Sequence, residues 1–194
     1  MGISGIINAV PNIRQKRYLE IGVAKGPTFD KVEAAVKVGV DPQYPATFAG
    51  TSDEFFARNA ERFDVIYVDG DHRLPQVLKD YNNAARCLTP GGVLFVHDLI
   101  PPDETYLPPD KCGDGWRLLY SLLEPPRDLP LVFCHESEYG LTLFLGPQPL
   151  DDIGVHISFA QFTKYVSRMR RLATHELTAV LQQWHSIASV RTGP

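Results

Sequence analysis

The chain has no run of eighteen consecutive apolar residues, so a membrane-spanning helix is not expected. Cysteine is scarce: only Cys87, Cys112 and Cys134, in no CxxC or Cys/His spacing. That argues against a disulfide framework and a zinc knuckle, and makes a reducing cytoplasm the expected compartment. Basic excess is also missing. The 194 residues carry a formal charge of −4, which gives no global field for a phosphate backbone or an anionic lipid surface. The opening "MGISGIINAVPNIRQKR" places its positive charges after its apolar part, lacks a continuous hydrophobic region, and has Ile6 where a myristoylation pattern wants Ser or Thr. No internal repeat is present. Neither a G-x-G-x-x-G dinucleotide loop nor a G-x-x-x-x-G-K-[ST] phosphate loop occurs.

What is present is an alternation of short apolar strands and amphipathic helices. Ile3, Ile6, Ile7 and Val10 recur at helical spacing before Pro11, giving a short N-terminal helix within 1–16 that is expected to act as a lid. "RYLEIGV" (17–23) reads as a strand, "TFDKVEAAV" (28–36) as a short helix, and "KVGVD" (37–41) as a second strand. Only about ten residues then separate it from "SDEFFARNAERF", too few for a normal crossover helix, with "ATFAG" (46–50) as a brief third strand. "FDVIYVD" (63–69) is apolar nearly throughout, as expected of a parallel strand covered on both faces.

Pro75 opens a helix that "TPGG" (89–92) stops; "VLFVHD" (93–98) is the fifth strand and "GDGWRLLYSLLE" (113–124) a helix. "LPLVFCHES" (129–137) and "YGLTLFLG" (139–146) are too close to be anything but antiparallel, with a turn around Glu138 to Gly140. From about 157 one long helix is expected, with Phe162, Val166, Met169, Leu177, Val180 and Trp184 on one side. The pattern predicts a doubly wound α/β sheet of seven strands, mostly parallel with the last antiparallel, over residues 1–150, followed by a helical extension over 151–194. Ligands of such sheets bind beyond the carboxyl ends of the strands.

In "YLEIGVAKGPTF" (18–29) an acid and two glycines end the first strand, and a close approach at Gly22 and Gly26 is expected to exclude side chains. Glu20, Gly22 and Gly26, then Asp41 closing the second strand, then Ser52 and Asp53 in "GTSDEFF", then "FDVIYVDGDH" and "LTPGGVLFVHD", stand in an order and spacing that resembles the class I S-adenosylmethionine-dependent methyltransferases, which share a Rossmann-like fold. The resemblance runs from about residue 17 to 146. It implies S-adenosylmethionine as cofactor, with the glycine loop at the methionine end, Asp41 on the ribose hydroxyls and Ser52 and Asp53 at the adenine.

"DGDH" followed by "PGGVLFVHD" is similar to a branch of small O-methyltransferases that includes the macrocin-type sugar enzymes. In metal-dependent relatives Asp69, His97 and Asp98 match the magnesium ligands, and His72 matches the base. His97 stands where a carboxylate or amide is usual, which disfavours magnesium, a cation preferring oxygen, but suits a softer divalent metal. Asp69 is also a candidate to hydrogen-bond the cofactor or to assist deprotonation. The expected function is methyl transfer to a hydroxyl of a small molecule or sugar, with His72 and Asp69 as catalytic residues. The alternatives are a noncatalytic cofactor-binding module or partner subunit and, further off, an NAD-binding oxidoreductase. Tyr106 is a candidate for the acceptor pocket, Trp116 for the core, and the C-terminal helix for a homodimer seam. No nucleic acid or membrane partner is expected.

Overall fold

The computed structural model describes residues 2–123, 131–136, 139–151, 153 and 157–191. Its elements are α1 (Ile3–Asn8), β1 (Arg17–Ile21), β2 (Val36–Asp41), β3 (Phe48–Ala49), α2 (Ser52–Arg58), β4 (Phe63–Val68), α3 (Leu74–Cys87), β5 (Leu88–Val96), α4 (Trp116–Leu123), β6 (Leu131–Cys134), β7 (Thr142–Leu145), α5 (Phe159–Val166) and α6 (Thr174–Arg191). The strands form one seven-stranded sheet in the order β3-β2-β1-β4-β5-β7-β6. Pairing is parallel except at β7, which runs antiparallel to both β5 and β6. The predicted mixed, doubly wound sheet is therefore what the chain builds.

Side-chain alternation along the strands divides the core in two. Leu19, Ile21, Ile66, Val68, Leu94 and Val96 face one way, where Phe55 of α2, Val77 and Tyr81 of α3, Trp116 and Leu119 of α4, and Phe162 and Val166 of α5 cover them. Tyr18, Val65, Tyr67, Val93 and Phe95 face the other way, under Ile6 and Ile7 of α1 and Leu177 and Leu181 of α6. Trp116 is 2% exposed, a core residue as its helical position indicated.

Four local expectations are corrected. Residues 28–36 do not form a helix; only a 3-10 turn at Phe29–Lys31 is present. The carbonyl of Phe29 and the N–H of Glu33, which an α-helix would pair with each other, are taken elsewhere. Lys37 Nζ donates to Phe29 O at 2.7 Å, and Glu33 N donates to Asn8 Oδ1 at 2.9 Å. Second, α1 is no lid: Ile6 and Ile7 are buried against the sheet, and Asn8 Nδ2 donates to Lys31 O, so the helix fills part of the space left by the missing crossover helix.

Third, the long terminal helix is two helices. Between them Leu172 pairs with the rim of β6, its N–H donating to Cys134 O at 2.8 Å and its O accepting from Glu136 N at 3.1 Å. The chain thus turns around the sheet edge and covers it, so Phe162 and Leu177, expected on one side of one helix, lie on opposite faces of the sheet. Fourth, β5 begins at Leu88 and includes "TPGG" as an irregularity where its register with β4 shifts; it stops at Val96, leaving His97 and Asp98 in the turn beyond. The expected turn at Glu138 and the ring of His156 lie outside the described residues.

Because Leu181 is 1% exposed, α6 is part of the core. Leu181→Ala is expected to cost about 2–5 kcal/mol, where a surface site would cost about 0.5 or less, as read by urea unfolding.

Candidate active site

Three strand ends meet at the carboxyl edge of the sheet. The N–H of Gly22 donates to Val40 O at 2.9 Å, and the N–H of Asp69 donates to Ile21 O at 2.8 Å, tying the loops after β1 and β4 together. Gly22 has φ +85°, and a Cβ there would stand 2.1 Å from Asp69 O. The close approach at this glycine is made by the protein's own backbone. At Gly26, φ +79°, a Cβ would meet the Asp30 carboxylate at 2.8 Å. Ala24 between them also has positive φ, 50°.

Asp41, 6% exposed, holds this loop: Oδ2 accepts from Ala24 N at 2.9 Å, and Oδ1 accepts from Gln43 N and Tyr44 N, each at 2.8 Å. A carboxylate offers about four acceptor positions, so one remains beside the cavity. That cavity has a volume of about 650 Å³ and is lined by Gly22, Asp41, Ser52, Asp53, Asp69, Gly70 and Gln76 among others. Its size is that of a small-molecule site. Ser52 and Asp53 reach it from the first turn of α2, whose start is fixed by a reciprocal cap between Thr51 and Glu54.

Glu20 does not line the cavity. Its carboxyl, 1% exposed, turns to the other face of the sheet and accepts a hydrogen bond from the Tyr18 hydroxyl. Burial pushes it up to about 7, against the pull of that hydrogen bond.

The catalytic candidates gather where β4 and β5 end. Asp69 Oδ2 accepts from the Tyr67 hydroxyl at 2.7 Å, and Oδ1 lies 3.4 Å from His97 Nδ1 and 3.6 Å from His72 Nε2. Asp98, with the strained φ of 60°, places Oδ1 3.1 Å from His97 Nδ1 and Oδ2 3.2 Å from His72 Nε2. Burial opposes the charged form of His97, but the two carboxylates outweigh it and push the ring up to about 10. For Asp69 burial is likewise outweighed, by His72, His97 and Tyr67, and its carboxyl is held below its usual range.

One ligand atom each from Asp69, His72 and Asp98 falls within 4.8 Å of the others, an arrangement that fits a cation with mixed oxygen and nitrogen donors. The nitrogens of His72 are buried and make no aligned hydrogen bond despite these short distances, so they are available to such an ion. Asp69, His97 and Asp98 were expected to form this set; the group found holds His72 rather than His97 beside Asp69 and Asp98.

The loop 99–116 covers this cluster. Asp114 Oδ1 accepts from Leu74 N at 2.7 Å, Gly115 N donates to His72 O at 3.2 Å, and Cys112 Sγ donates to Asp98 Oδ1 at 3.6 Å. Tyr106 stacks at 5.2 Å on Tyr139, which meets His97 edge-on at 6.3 Å, so Tyr106 stands near the cluster. Asp71 is paired with Arg73. The sequence reading missed Tyr67, Gln76 and Asp80; the last two are four apart on the helix opened by Pro75, a spacing that marks one face.

Residues 27–99 match the family model described as a methyltransferase domain. No curated protein matches the sequence. Among solved structures, cofactor-bound Rv0187 from MTB aligns with a TM-score of 0.55 at 16% identity, covering 75% of this chain and 79% of that one. The O-methyltransferase TomG from Streptomyces achromogenes, involved in tomaymycin synthesis and solved with SAM, gives 0.52 at 19% identity, covering 73% and 78%. An O-methyltransferase from Bacillus cereus, solved with SAH, gives 0.51 at 15% identity, covering 75% and 80%. At these identities the likeness is one of fold. The domain match, over residues 27–99, and this likeness of fold both agree with the resemblance that the ordered motifs carry. No helix among the described residues is long and apolar enough to cross a membrane.

Two outcomes are expected here. Gly22→Ala loses at least about 1–2 kcal/mol through its left-handed backbone alone and, by displacing Asp69, also loses cofactor affinity; thermal melts and calorimetry read the two effects. Glu20 ionises near 4.5 when unexposed to such burial and near 7 in the fold, so wild-type stability falls as pH rises between those values. Glu20→Gln should therefore gain on wild type across that window, by on the order of 3 kcal/mol at most, in urea unfolding at about pH 5 and about pH 8.

Proposed function

We propose that the chain transfers the methyl group of S-adenosylmethionine to a hydroxyl of a small molecule or sugar. The observation that carries this reading is the single cavity edge at which the glycine loop, Asp41, Ser52, Asp53 and the Asp69 cluster come together. When bound, S-adenosylmethionine supplies an electrophilic methyl on a sulfonium. Asp41 offers its remaining acceptor position to the ribose hydroxyls, the Gly22–Gly26 loop accommodates the methionine end, and Ser52 and Asp53 bound the purine. Glu20 lies behind the cavity, hydrogen-bonded to Tyr18 within β1.

An acceptor hydroxyl must give up a proton as its oxygen takes the methyl group. Asp69 and His72 are assigned to that proton, with Asp98 orienting His72 from 3.2 Å. A divalent metal is proposed at Asp69, His97 and Asp98 where His72 serves as the base; in the alternative arrangement His72 would replace His97 as the nitrogen ligand and Asp69 alone would be left to assist the proton. The metal would lower the pKa of a bound hydroxyl, and a nitrogen donor favours a transition metal over magnesium. The free thiols of Cys87, Cys112 and Cys134 suit a reducing cytoplasm. A homodimer seam would use the exposed Ile187 and Val190 of α6, and the mass in solution tests it.

Calorimetric titration of S-adenosylmethionine tests the assignment. Micromolar binding is expected in the wild type and its loss in Asp41→Ala; absence of binding by the wild type overturns the proposal. With an acceptor in hand, His72→Ala and Asp69→Asn are each expected to lower turnover by about 100-fold or more, in the range typical of general base removal, while cofactor binding persists.

A further inference from the structure

The same short pattern, a tyrosine, an apolar residue and an acid, stands near the ends of two neighbouring strands. It is Tyr18, Leu19 and Glu20 on β1, and Tyr67, Val68 and Asp69 at the end of β4. Glu20 lies opposite Tyr67 in the parallel register, so Tyr18, Glu20 and Tyr67 share one face of the sheet. In each triplet the phenol donates to the acid two residues on. Tyr18 is bonded to Glu20, and the Tyr67 hydroxyl donates to Asp69 Oδ2 at 2.7 Å. Each acid therefore has a donor of its own.

Of the two pairs, the second reaches the histidine cluster. Tyr67 is 1% exposed, its ring is packed in the core that α1 and α6 cover, and its centroid lies 6.3 Å from that of His97. Close packing fixes the ring and with it the hydroxyl. Asp69 has no such support of its own. It stands in the turn beyond β4, its side chain is 29% exposed, and the last torsion of an aspartate is broad. With Oδ2 held by Tyr67, Oδ1 is the oxygen that stands 3.4 Å from His97 Nδ1 and 3.6 Å from His72 Nε2. Asp69 is common to both metal arrangements given above, and in either one the oxygen beside the nitrogen ligand is the one that Tyr67 leaves free.

We infer that Tyr67 is a positioning residue of this centre: its hydroxyl holds the Asp69 carboxylate with one oxygen turned to the histidines, and so sets the affinity for a divalent metal. The inference rests on the metal reading proposed above. Tyr67 acts through Asp69, from inside the core. A partner that holds a metal ligand from behind in this way is typically worth about 10- to 100-fold in metal affinity.

The experiment titrates Co²⁺ alone, and S-adenosylhomocysteine separately, into the wild type, Tyr67→Phe and Tyr18→Phe, by calorimetry. Tyr67→Phe removes one oxygen and keeps the ring. It should weaken Co²⁺ binding by at least about tenfold and leave S-adenosylhomocysteine affinity within about threefold. Tyr18→Phe strips the same group from the pair on β1 and should leave Co²⁺ affinity unchanged. A merely structural role would weaken both ligands alike. Unchanged Co²⁺ affinity in Tyr67→Phe, equal losses of the two ligands, or a matching Co²⁺ loss in Tyr18→Phe overturns the inference and leaves the metal reading intact. If the wild type binds S-adenosylhomocysteine but no Co²⁺, the metal reading and the inference fall together while the cofactor reading stands. Failure of the wild type to bind either ligand overturns all three.

Discussion

The site depends on one close contact, the packing of Gly22 against the carbonyl of Asp69. A parallel sheet leaves its strand ends as separate loops, and nothing in the ladder brings the loop after β1 to the loop after β4. Here the N–H of Gly22 bonds across to β2 while the N–H of Asp69 bonds across to β1, and the absent side chain lets the two turns touch. Asp41 then locks the result by accepting three backbone N–H groups from both sides of the cleft. The cavity wall and the Asp69 cluster are consequences of that knot.

The rest of the chain compensates for what it omits. The crossover after β1 is a 3-10 turn and a loop, and the crossover after β2 contains no helix. The exposed face is covered instead by α1, whose Asn8 satisfies backbone groups of the loop, and by α6, which reaches that face by passing around β6. Buried area is what stabilises the sheet, and it need not come from the helix next in sequence.

Charge at the sheet edge follows a consistent rule. Four acids beside the cavity have local partners: backbone for Asp41, Lys79 for Asp53, Arg73 for Asp71, and two histidines with a tyrosine for Asp69. For Asp53, Asp69 and Asp71 such pairing favours the charged carboxylate. Asp80 and Glu20, which lack cationic partners in contact, are the acids whose carboxyls are pushed upward.

The sequence by itself determined the sheet and its direction, because apolar strand runs, Pro75 at a helix start and the short β6–β7 link are local signals that packing had no reason to override. It also put Gly22, Asp41, Asp69, His97 and Asp98 at one edge, although β5 ends at Val96, two residues before the sequence pattern suggested. Only the tertiary structure decided where their side chains go. Glu20 and Asp41 both sit at or near strand ends, yet one turns to the far face and the other to the cavity, because residues alternate along a strand. The helix expected at 28–36 and the unbroken terminal helix failed for a similar reason: Asn8, Lys37 and the rim of β6, all distant in sequence, claimed the backbone groups that a local helix would have used.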